Sequence, residues 1–260
     1  MIENGHGNLL ELINLTKYFG GLAAVQGLNL VVKPGEIHGL IGPNGAGKTT
    51  AFNLISGMLK PTHGSVIFKD TNISRLKPER VAKKGLVRTF QGNVLFKDFT
   101  VTENVLMGCH LDAGIGFFGD LVNQTAIRRK KEKIQEKALE LLRFSGLEKL
   151  KDELAVNLSH GHQRILGVCI ALAAEPELLM LDEPVAGMNA EEKQSMMGLI
   201  GRINQKGVTV LIVEHDMKVI MKLCHRIAVL NFGVKIAQGT PEEIQAHPEV
   251  IEAYLGANEL

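Results

Sequence analysis

The chain has 260 residues, of which 45% are hydrophobic and 22% charged, a composition ordinary for a globular protein. Lysine and arginine total 29 against 28 acidic residues, so no net basic charge favours nucleic-acid binding. Cys109, Cys169 and Cys224 lie far apart, which predicts buried thiols in a reducing compartment rather than disulfides or a zinc site. Since no signal peptide and no membrane-spanning apolar run is evident, we expect a cytoplasmic protein whose membrane role depends on a partner.

The first third of the chain predicts short strands and one glycine-rich loop. Strands are expected, in chain order, at 9–15, 28–33, 36–41, 65–68 and 85–90. Residues 16–21 are expected to form a loop between the first two strands, and a helix is expected over 50–55.

The stretch between the third strand and that helix fits the phosphate-binding pattern G-x-x-x-x-G-K-[ST] without a mismatch. It reads Gly42-Pro43-Asn44-Gly45-Ala46-Gly47-Lys48-Thr49-Thr50. Its glycines let successive backbone N–H groups form an anion-binding nest, to which the following helix adds its positive end. Lys48 suits the β- and γ-phosphates, and the Thr49 hydroxyl suits Mg²⁺. The sequence therefore predicts that the protein binds a nucleoside triphosphate.

The middle of the chain predicts a mostly helical insert over 92–157. A helix is expected to begin within 100–104, and the glycine-rich residues 114–119 predict a connector. The charged run 128–133 lies on a predicted helix whose apolar residues share one face. We interpret this run as a solvated helix face rather than a nucleic-acid patch.

From residue 158 the α/β pattern resumes. Helices are expected at 160–174, 190–205 and 216–223, strands at 178–181 and 208–213, a hairpin over 227–237, and short capped helices over 240–255. The uninterrupted apolar runs of the two strands indicate central positions in a parallel sheet that is buried on both faces.

Two acidic residues and one histidine follow these buried strands. Asp182 ends one strand, where a carboxylate can reach the hydration shell of Mg²⁺, and Glu183 can orient or deprotonate a water. The alternative is a strand-ending turn with acidic surface residues. His215 follows the next strand, so it is either structural or a hydrogen-bonding group for the γ-phosphate and Glu183.

A second candidate anion site begins at Ser159, which is a good N-cap residue for the helix that follows. Gly161 permits close backbone approach. Because the chain already has one phosphate site, this half-site is expected to contact the nucleotide held by another subunit. An ordinary capped helix is the alternative.

With these motifs in this order, the whole chain resembles the nucleotide-binding subunit of an ATP-binding cassette (ABC) transporter. Residues 158–162, which we call the signature segment, match the family's L-S-G-G-Q pattern at Ser159 and Gly161, whereas His160 and His162 depart from it. The resemblance implies an α/β fold: a P-loop NTPase core with a mixed, mainly parallel sheet, an N-terminal antiparallel β-subdomain and a helical insert. It also implies ATP and Mg²⁺ as cofactors.

Further site residues follow from the resemblance. It implies that Gln91 reaches the Mg²⁺ together with Thr49 and Asp182, that Phe19 stacks on the adenine, and that Val25 also contacts the nucleotide. Glu183 and His215 would be catalytic. The segment 158–162 would contact the partner subunit's ATP through Ser159, Gly161 and His162. A His at the last position can still hydrogen-bond the partner nucleotide.

A narrower resemblance is to the ATPase subunits of branched-chain or hydrophobic amino-acid importers. It rests on Arg88-Thr89-Phe90-Gln91, the long insert, Asn189 in the string 186–189, the string 239–243 and the tail 250–256. It implies one domain over 8–257, with a core at 8–91 and 158–239, a helical subdomain at 92–157 and a helical tail at 240–257.

That branch implies a cytoplasmic ATPase, peripheral on the inner face of the membrane, which works as a dimer with membrane permeases and, indirectly, a substrate-binding protein. Two alternatives stay open: the ATPase of a lipopolysaccharide-export complex, and a non-transport or weakly hydrolysing ABC protein. Balanced charge and the lack of a coiled-coil insert argue against an ATPase acting on nucleic acid.

Overall fold

The computed structural model describes residues 7–89, 95–110 and 124–255. The strands are β1 Leu10–Phe19, β2 Leu22–Val32, β3 Ile37–Ile41, β4 His63–Phe68, β5 Thr71–Asn72, β6 Leu86–Arg88, β7 Leu178–Asp182, β8 Thr209–Val213, β9 Arg226–Asn231 and β10 Val234–Gly239. The helices are α1 Lys48–Ile55, α2 Pro78–Ala82, α3 Val101–His110, α4 Gln124–Ser145, α5 His160–Leu172, α6 Ala190–Gln205, α7 Met217–Leu223, α8 Pro241–Gln245 and α9 Pro248–Leu255.

The chain divides into two compact units. The first comprises residues up to 88, 177–183, and those from 200 onward. The second comprises 89–176 and 184–199. Both sheets lie in the first unit, whereas the second is mainly helical.

A six-stranded sheet in the order β10-β9-β3-β8-β7-β6 forms the centre of the first unit. The five strands from β9 to β6 are parallel, and β10 is antiparallel to β9. Every residue of β3, β7 and β8 is buried, as their uninterrupted apolar sequences predicted. The mainly parallel mixed sheet confirms the predicted fold class.

A four-stranded antiparallel sheet in the order β2-β1-β4-β5 lies in the same unit. The prediction of a loop over 16–21 was wrong, because β1 continues to Phe19 and β2 begins at Leu22. The turn between them is confined to Gly20 and Gly21, and Gly20 has a φ of 57°. Irregular pairing register along this hairpin obscured the strand alternation that a sequence reading depends on.

One hydrophobic core joins both sheets to α1. This helix buries Phe52, Leu54 and Ile55 against residues of the two sheets, among them Phe68 of β4 and Met180 of β7. Burying a side chain of this size stabilises the fold by roughly 1.5–3 kcal/mol. The core therefore fixes α1, whose first residue follows the glycine-rich loop, relative to the central sheet.

In the second unit, α3, α4 and α5 pack against one another. Ala138 and Leu142 of α4 are buried, as the apolar periodicity predicted. Arg128, nearer the start of the helix, is exposed and pairs with Glu132 at 3.0 Å. This arrangement agrees with a solvated helix face. The predicted connector at 114–119 lies outside the described residues.

The cysteines are free thiols and all three are buried, as expected. Burial raises the pKa of Cys169 and of Cys224 to about 12, so neither thiol is reactive at neutral pH. Within residues 7–89, 95–110 and 124–255, no helix combines the length and apolar character needed to span a bilayer.

Candidate ATP-binding site

The glycine-rich loop joins the carboxyl end of β3 to the first turn of α1. Gly42, Gly45 and Gly47 have positive φ angles of 149°, 78° and 98°. A Cβ at Gly42 would overlap the Leu230 carbonyl oxygen, and a Cβ at Gly47 would overlap that of Ala24. These two glycines are required by close backbone approach, whereas Gly45 faces open space and needs glycine for its backbone conformation alone.

Neighbouring strands hold the loop from outside. The backbone N–H of Gly233, in the turn between β9 and β10, donates to the Ala46 carbonyl at 3.0 Å. The Gly233 carbonyl in turn accepts from Gln26 of β2 at 2.8 Å. Along the loop, Asn44, Gly45 and Thr49 are exposed, whereas Ala46 is buried. The exposed part of the loop is therefore open to an anion while its base is fixed.

Lys48 is folded back over this loop. Its ammonium donates to the carbonyl oxygens of Gly42 at 2.6 Å and Pro43 at 2.8 Å. Partial burial lowers the pKa of Lys48, and the nearby Glu183 carboxylate opposes that shift. Thr50, the third residue of α1, is half-buried beside the exposed Thr49. The lysine is thus positioned to exchange two carbonyl partners for phosphate oxygens.

Asp182 lies at the end of β7, paired in register with Val213 of β8, and it is 3% exposed. Its Oδ2 accepts from Arg88 Nη2 at 2.7 Å. The sequence reading did not anticipate this partner. The signal was available, since Arg88 is a charged residue that ends the apolar strand β6, as Asp182 ends β7.

Glu183 and His215 are brought together beside Asp182. Glu183 has a φ of 47°, and its backbone N–H donates to the Val213 carbonyl at 2.9 Å. His215 Nδ1 lies 3.9 Å from Glu183 Oε1 and 3.9 Å from Oε2 of the buried Glu214. A non-glycine residue held at positive φ costs roughly 1–3 kcal/mol, which is tolerated where the side chain must be aimed.

These oxygen donors suit a hard cation. Thr49 supplies an exposed hydroxyl and Asp182 a buried carboxylate. No group of three or more His, Cys, Asp or Glu side chains arranged to hold a metal occurs in the described part of the chain. This donor set fits Mg²⁺, which retains several waters and takes other ligands from phosphates.

The signature segment lies in the second unit, at the start of α5. The Ser159 hydroxyl caps this helix by accepting from the His162 N–H at 3.2 Å, and it lies 3.3 Å from His162 Nδ1. The same hydroxyl donates to Glu192 Oε1 at 3.2 Å. A Cβ at Gly161 would overlap the Glu192 carboxylate, so any larger residue there would displace this side chain.

Glu192, which the sequence analysis missed, also links this segment to Asn189. The Asn189 N–H donates to the Glu192 carboxylate at 3.2 Å, and the Glu192 N–H donates to Asn189 Oδ1 at 3.0 Å. These bonds, with smaller contributions from Ser159 and Gly161, hold the pKa of Glu192 below its usual range despite some desolvation. The N-x-x-E spacing of a capping box was the available sequence signal.

Phe19 and Val25 have different surroundings. Phe19 is 47% exposed, and the Lys17 ammonium lies 5.3 Å from the centre of its ring. Val25 has no exposed surface, and its Cγ2 lies behind Gly47, where it supports the phosphate loop. Gln91, the predicted Mg²⁺ contact, lies outside the described residues.

Comparison with known proteins identifies the family. The ABC transporter family profile matches residues 25–186. The chain belongs to the ABC transporter family. A second profile, that of the branched-chain amino acid ATP-binding cassette transporter, matches residues 234–259 at the end of this cassette.

Curated relatives match the cassette over nearly its whole length. It is 43% identical to the high-affinity branched-chain amino acid transport ATP-binding protein LivG of Escherichia coli K12, over 95% of this chain and 98% of that protein. It is 41% identical to BraF, a protein of the same description from Pseudomonas aeruginosa, over the same shares of both chains. The predicted resemblance to this branch is confirmed.

Solved structures share the fold. A nucleotide-free ATP-binding cassette from an ABC transporter aligns with a TM-score of 0.83 and 32% identity, covering 95% of this chain and 98% of that chain. The ADP conformation of such a cassette aligns with a TM-score of 0.84 and 31% identity, covering 96% and 99%. A dimeric post-hydrolysis cassette bound to ADP and phosphate aligns with a TM-score of 0.74 and 27% identity, covering 89% and 98%.

Proposed function

We propose that this cassette is the ATP-hydrolysing subunit of an importer for branched-chain or other hydrophobic amino acids. The observation that carries the proposal is the grouping of Lys48, Asp182, Glu183 and His215 around the phosphate loop at the carboxyl ends of β3, β7 and β8. The substrate class is supported by the names of LivG and BraF and by the C-terminal match.

In this proposal the phosphate loop binds the β- and γ-phosphates through its backbone N–H groups and Lys48. Thr49, Asp182 and Gln91 would hold Mg²⁺, which when bound would supply positive charge to neutralise the phosphates. Phe19 stacks on the adenine, and Lys17 must leave its position over the ring.

Glu183 is proposed to accept a proton from the attacking water as the oxygen bonds to the γ-phosphorus and the bond to ADP breaks. Its position near Lys48 and 3.9 Å from His215 supports this role. His215 would then hold both the γ-phosphate and the Glu183 carboxylate. The positive φ of Glu183 fits a side chain that is aimed by its backbone.

Two subunits are proposed to face head to tail, each closing the other's site. Ser159, Gly161 and His162 would contact the ATP bound by the partner subunit. The hydroxyl and the helix N-terminus at Ser159 supply anion-binding groups of the right kind. The fold shared with a dimeric cassette bound to ADP and phosphate supports this arrangement. A single subunit should therefore hydrolyse ATP poorly.

A membrane permease subunit is the proposed partner of an exposed apolar surface on the second unit. This surface, which we call the apolar loop patch, consists of Phe96, Phe99, Leu154 and Val156, all exposed. The phenyl rings stack at 5.3 Å, and the Ala155 N–H donates to the Phe99 carbonyl at 2.9 Å. Such a contiguous patch suits a protein partner, and it would place the cassette on the inner face of the membrane.

The experiment is to purify the cassette with its membrane partners and measure phosphate release. The proposal expects Mg²⁺-dependent hydrolysis that rises when a branched-chain amino acid and the substrate-binding protein are added. The matched control adds an acidic amino acid instead. Hydrolysis without such stimulation, or stimulation by lipopolysaccharide, would contradict the importer assignment.

A further inference from the structure

We propose that Arg88 is a positioning residue that fixes the Asp182 carboxylate relative to the first turn of α1. The inference rests on the proposed function of Asp182 in holding Mg²⁺. Arg88 Nη2 donates to Asp182 Oδ2 at 2.7 Å. On its other side, Nη1 donates to Asn53 Oδ1 at 2.6 Å and to the Ser56 hydroxyl at 3.2 Å. One guanidinium thus connects the end of β7 to α1.

The position of these contacts along α1 explains why the link through Arg88 matters for the proposed metal site. Asn53 lies about one helical turn after Thr49, the proposed hydroxyl ligand. Thr49 and Asp182 belong to different elements, far apart in the chain, and a shared ion must find both at fixed positions. Since Arg88 binds α1 and Asp182 at once, it sets the position of one donor relative to the helix that carries the other.

The surroundings require an arginine rather than a generic cation. The guanidinium lies over the Phe52 ring, with Cζ 5.5 Å from the ring centre. The side chains of Arg88 and Asp182 are only 9% and 2% exposed. A planar fork can stack on Phe52 while its two terminal nitrogens serve different acceptors, which a lysine ammonium on a flexible stem cannot reproduce.

One nitrogen of the fork is left over. Arg88 Nε is buried and has no hydrogen-bond partner among the described residues. Burying an unpartnered donor is unfavourable. The contacts of Arg88 with Asp182 and α1 are therefore made by its two terminal nitrogens alone.

Replacing Arg88 is expected to weaken the binding of Mg²⁺ rather than the binding of ATP. Without the arginine fork, Asp182 is still present, but its carboxylate is no longer held relative to Thr49. Loss of groups that orient metal ligands typically weakens metal affinity by about 10–100-fold. Lys48 bonds to carbonyls of the phosphate loop, whereas Arg88 bonds to Asn53, Ser56 and Asp182, so binding of ATP in the absence of divalent metal should be unchanged.

The experiment is equilibrium binding of a fluorescent ATP analogue to the purified full-length cassette, in EDTA and across a Mg²⁺ titration. Arg88→Lys is expected to match the wild type in EDTA and to need about tenfold more Mg²⁺ for half-maximal enhancement of binding. Arg143→Lys is the matched control, because Arg143 pairs with Glu148 at 2.7 Å in an exposed ion pair of the second unit. It should leave both measurements unchanged.

Measuring Arg88→Lys in a protein that also carries Asp182→Asn distinguishes a positioning role of Arg88 from a general loss of stability. If Arg88 acts through Asp182, Arg88→Lys should cause no further change in the Mg²⁺ midpoint there. Arg88→Gln serves as a second variant should Arg88→Lys be poorly folded. An unchanged Mg²⁺ midpoint in folded Arg88 variants, or an equal loss of binding in EDTA, would overturn the inference. Absence of any Mg²⁺ effect in the wild type would instead contradict the proposed function.

Discussion

The Glu192 carboxylate accepts a hydrogen bond from the Ser159 hydroxyl at 3.2 Å, at the helix N-terminus that is proposed to bind the partner subunit's ATP. Gly161 approaches the same carboxylate so closely that a Cβ would displace it. An anionic group of the chain itself therefore engages the groups that an incoming phosphate would need. Because the pKa of Glu192 is lowered, this carboxylate is charged at neutral pH.

Glu192→Gln should therefore strengthen ATP-driven dimerisation. The amide keeps the size of the side chain but removes the charge that competes with phosphate. The ATP concentration for half-maximal dimerisation, measured by light scattering with a non-hydrolysable analogue, should fall several-fold. Glu191→Gln is the control, since Glu191 is the exposed neighbour. A weaker dimer in Glu192→Gln alone would contradict this prediction. It would show that the hydrogen bond between the Glu192 carboxylate and the Asn189 N–H matters more than repulsion between that carboxylate and phosphate.

His162→Gln restores the residue that the family pattern has at this position. The His162 backbone N–H, which donates to the Ser159 hydroxyl, is unaffected by the change, and the ring Nδ1 lies 3.3 Å from the same hydroxyl. We expect ATP affinity and turnover to change by about 1 kcal/mol, the worth of one hydrogen bond. Steady-state phosphate release would check this, and a hundredfold loss would reveal a specific role for histidine.

The features that the sequence predicted best are those determined by residues adjacent in the chain. The glycine-rich loop, the buried strands β3, β7 and β8, and Ser159 as a cap follow from adjacent residues. Regular periodicity likewise predicted the bounds of α6. The loop expected at 16–21 failed because hairpin pairing, not local propensity, extends β1 and β2 through it.

The partners of the site residues could not be predicted, because they depend on contacts across the fold. Arg88 and Asp182 are 94 residues apart, and Ser159 and Glu192 are 33 apart. The sequence shows that Arg88 ends a strand and that Asn189 and Glu192 have capping-box spacing. It does not show that Arg88 contacts Asp182 or that Glu192 contacts Ser159. Val25 is fully buried behind Gly47, and its predicted contact with the nucleotide stays a prediction.

Asn104 should be a stability determinant of the apolar loop patch. Its side chain is fully buried, and its amide donates to the carbonyls of Phe96, Phe99 and Thr100 at 3.0–3.3 Å and accepts from the Phe96 N–H at 2.9 Å. Asn104→Ala removes the acceptor of the Phe96 N–H, whereas the three carbonyls keep backbone donors, so we expect a cost of about 2 kcal/mol in the free energy of unfolding. Urea unfolding would measure it, with Asn157→Ala as an exposed control. Equal stability would contradict this account.

Tyr254 connects the C-terminal helix α9 to the phosphate loop. Within the described part of the chain its buried hydroxyl has no hydrogen bond of ordinary geometry. Burial raises the pKa of Tyr254 to about 12, partly offset by the nearby Gly42 backbone. Tyr254→Phe should change the free energy of unfolding by less than about 1 kcal/mol, because little is lost with the hydroxyl.

Tyr254→Ala should be more costly, by about 2 kcal/mol, and should weaken ATP binding because the support behind Gly42 is lost. Thermal unfolding and fluorescent-nucleotide titration would separate the two effects. Equal ATP affinity in the Phe and Ala variants would show that α9 does not support the loop. Ile251→Ala, on an exposed position of the same helix, is the control.

The central claim is that Glu183 activates water in a site completed by a second subunit. Its most direct test is Glu183→Gln, with phosphate release and size-exclusion chromatography measured in ATP and Mg²⁺. The amide retains the shape of the side chain but cannot accept the proton. We predict intact ATP binding, no turnover and a stable ATP-bound dimer. Hydrolysis near the wild-type rate, or ATP binding by monomers alone, would contradict the account.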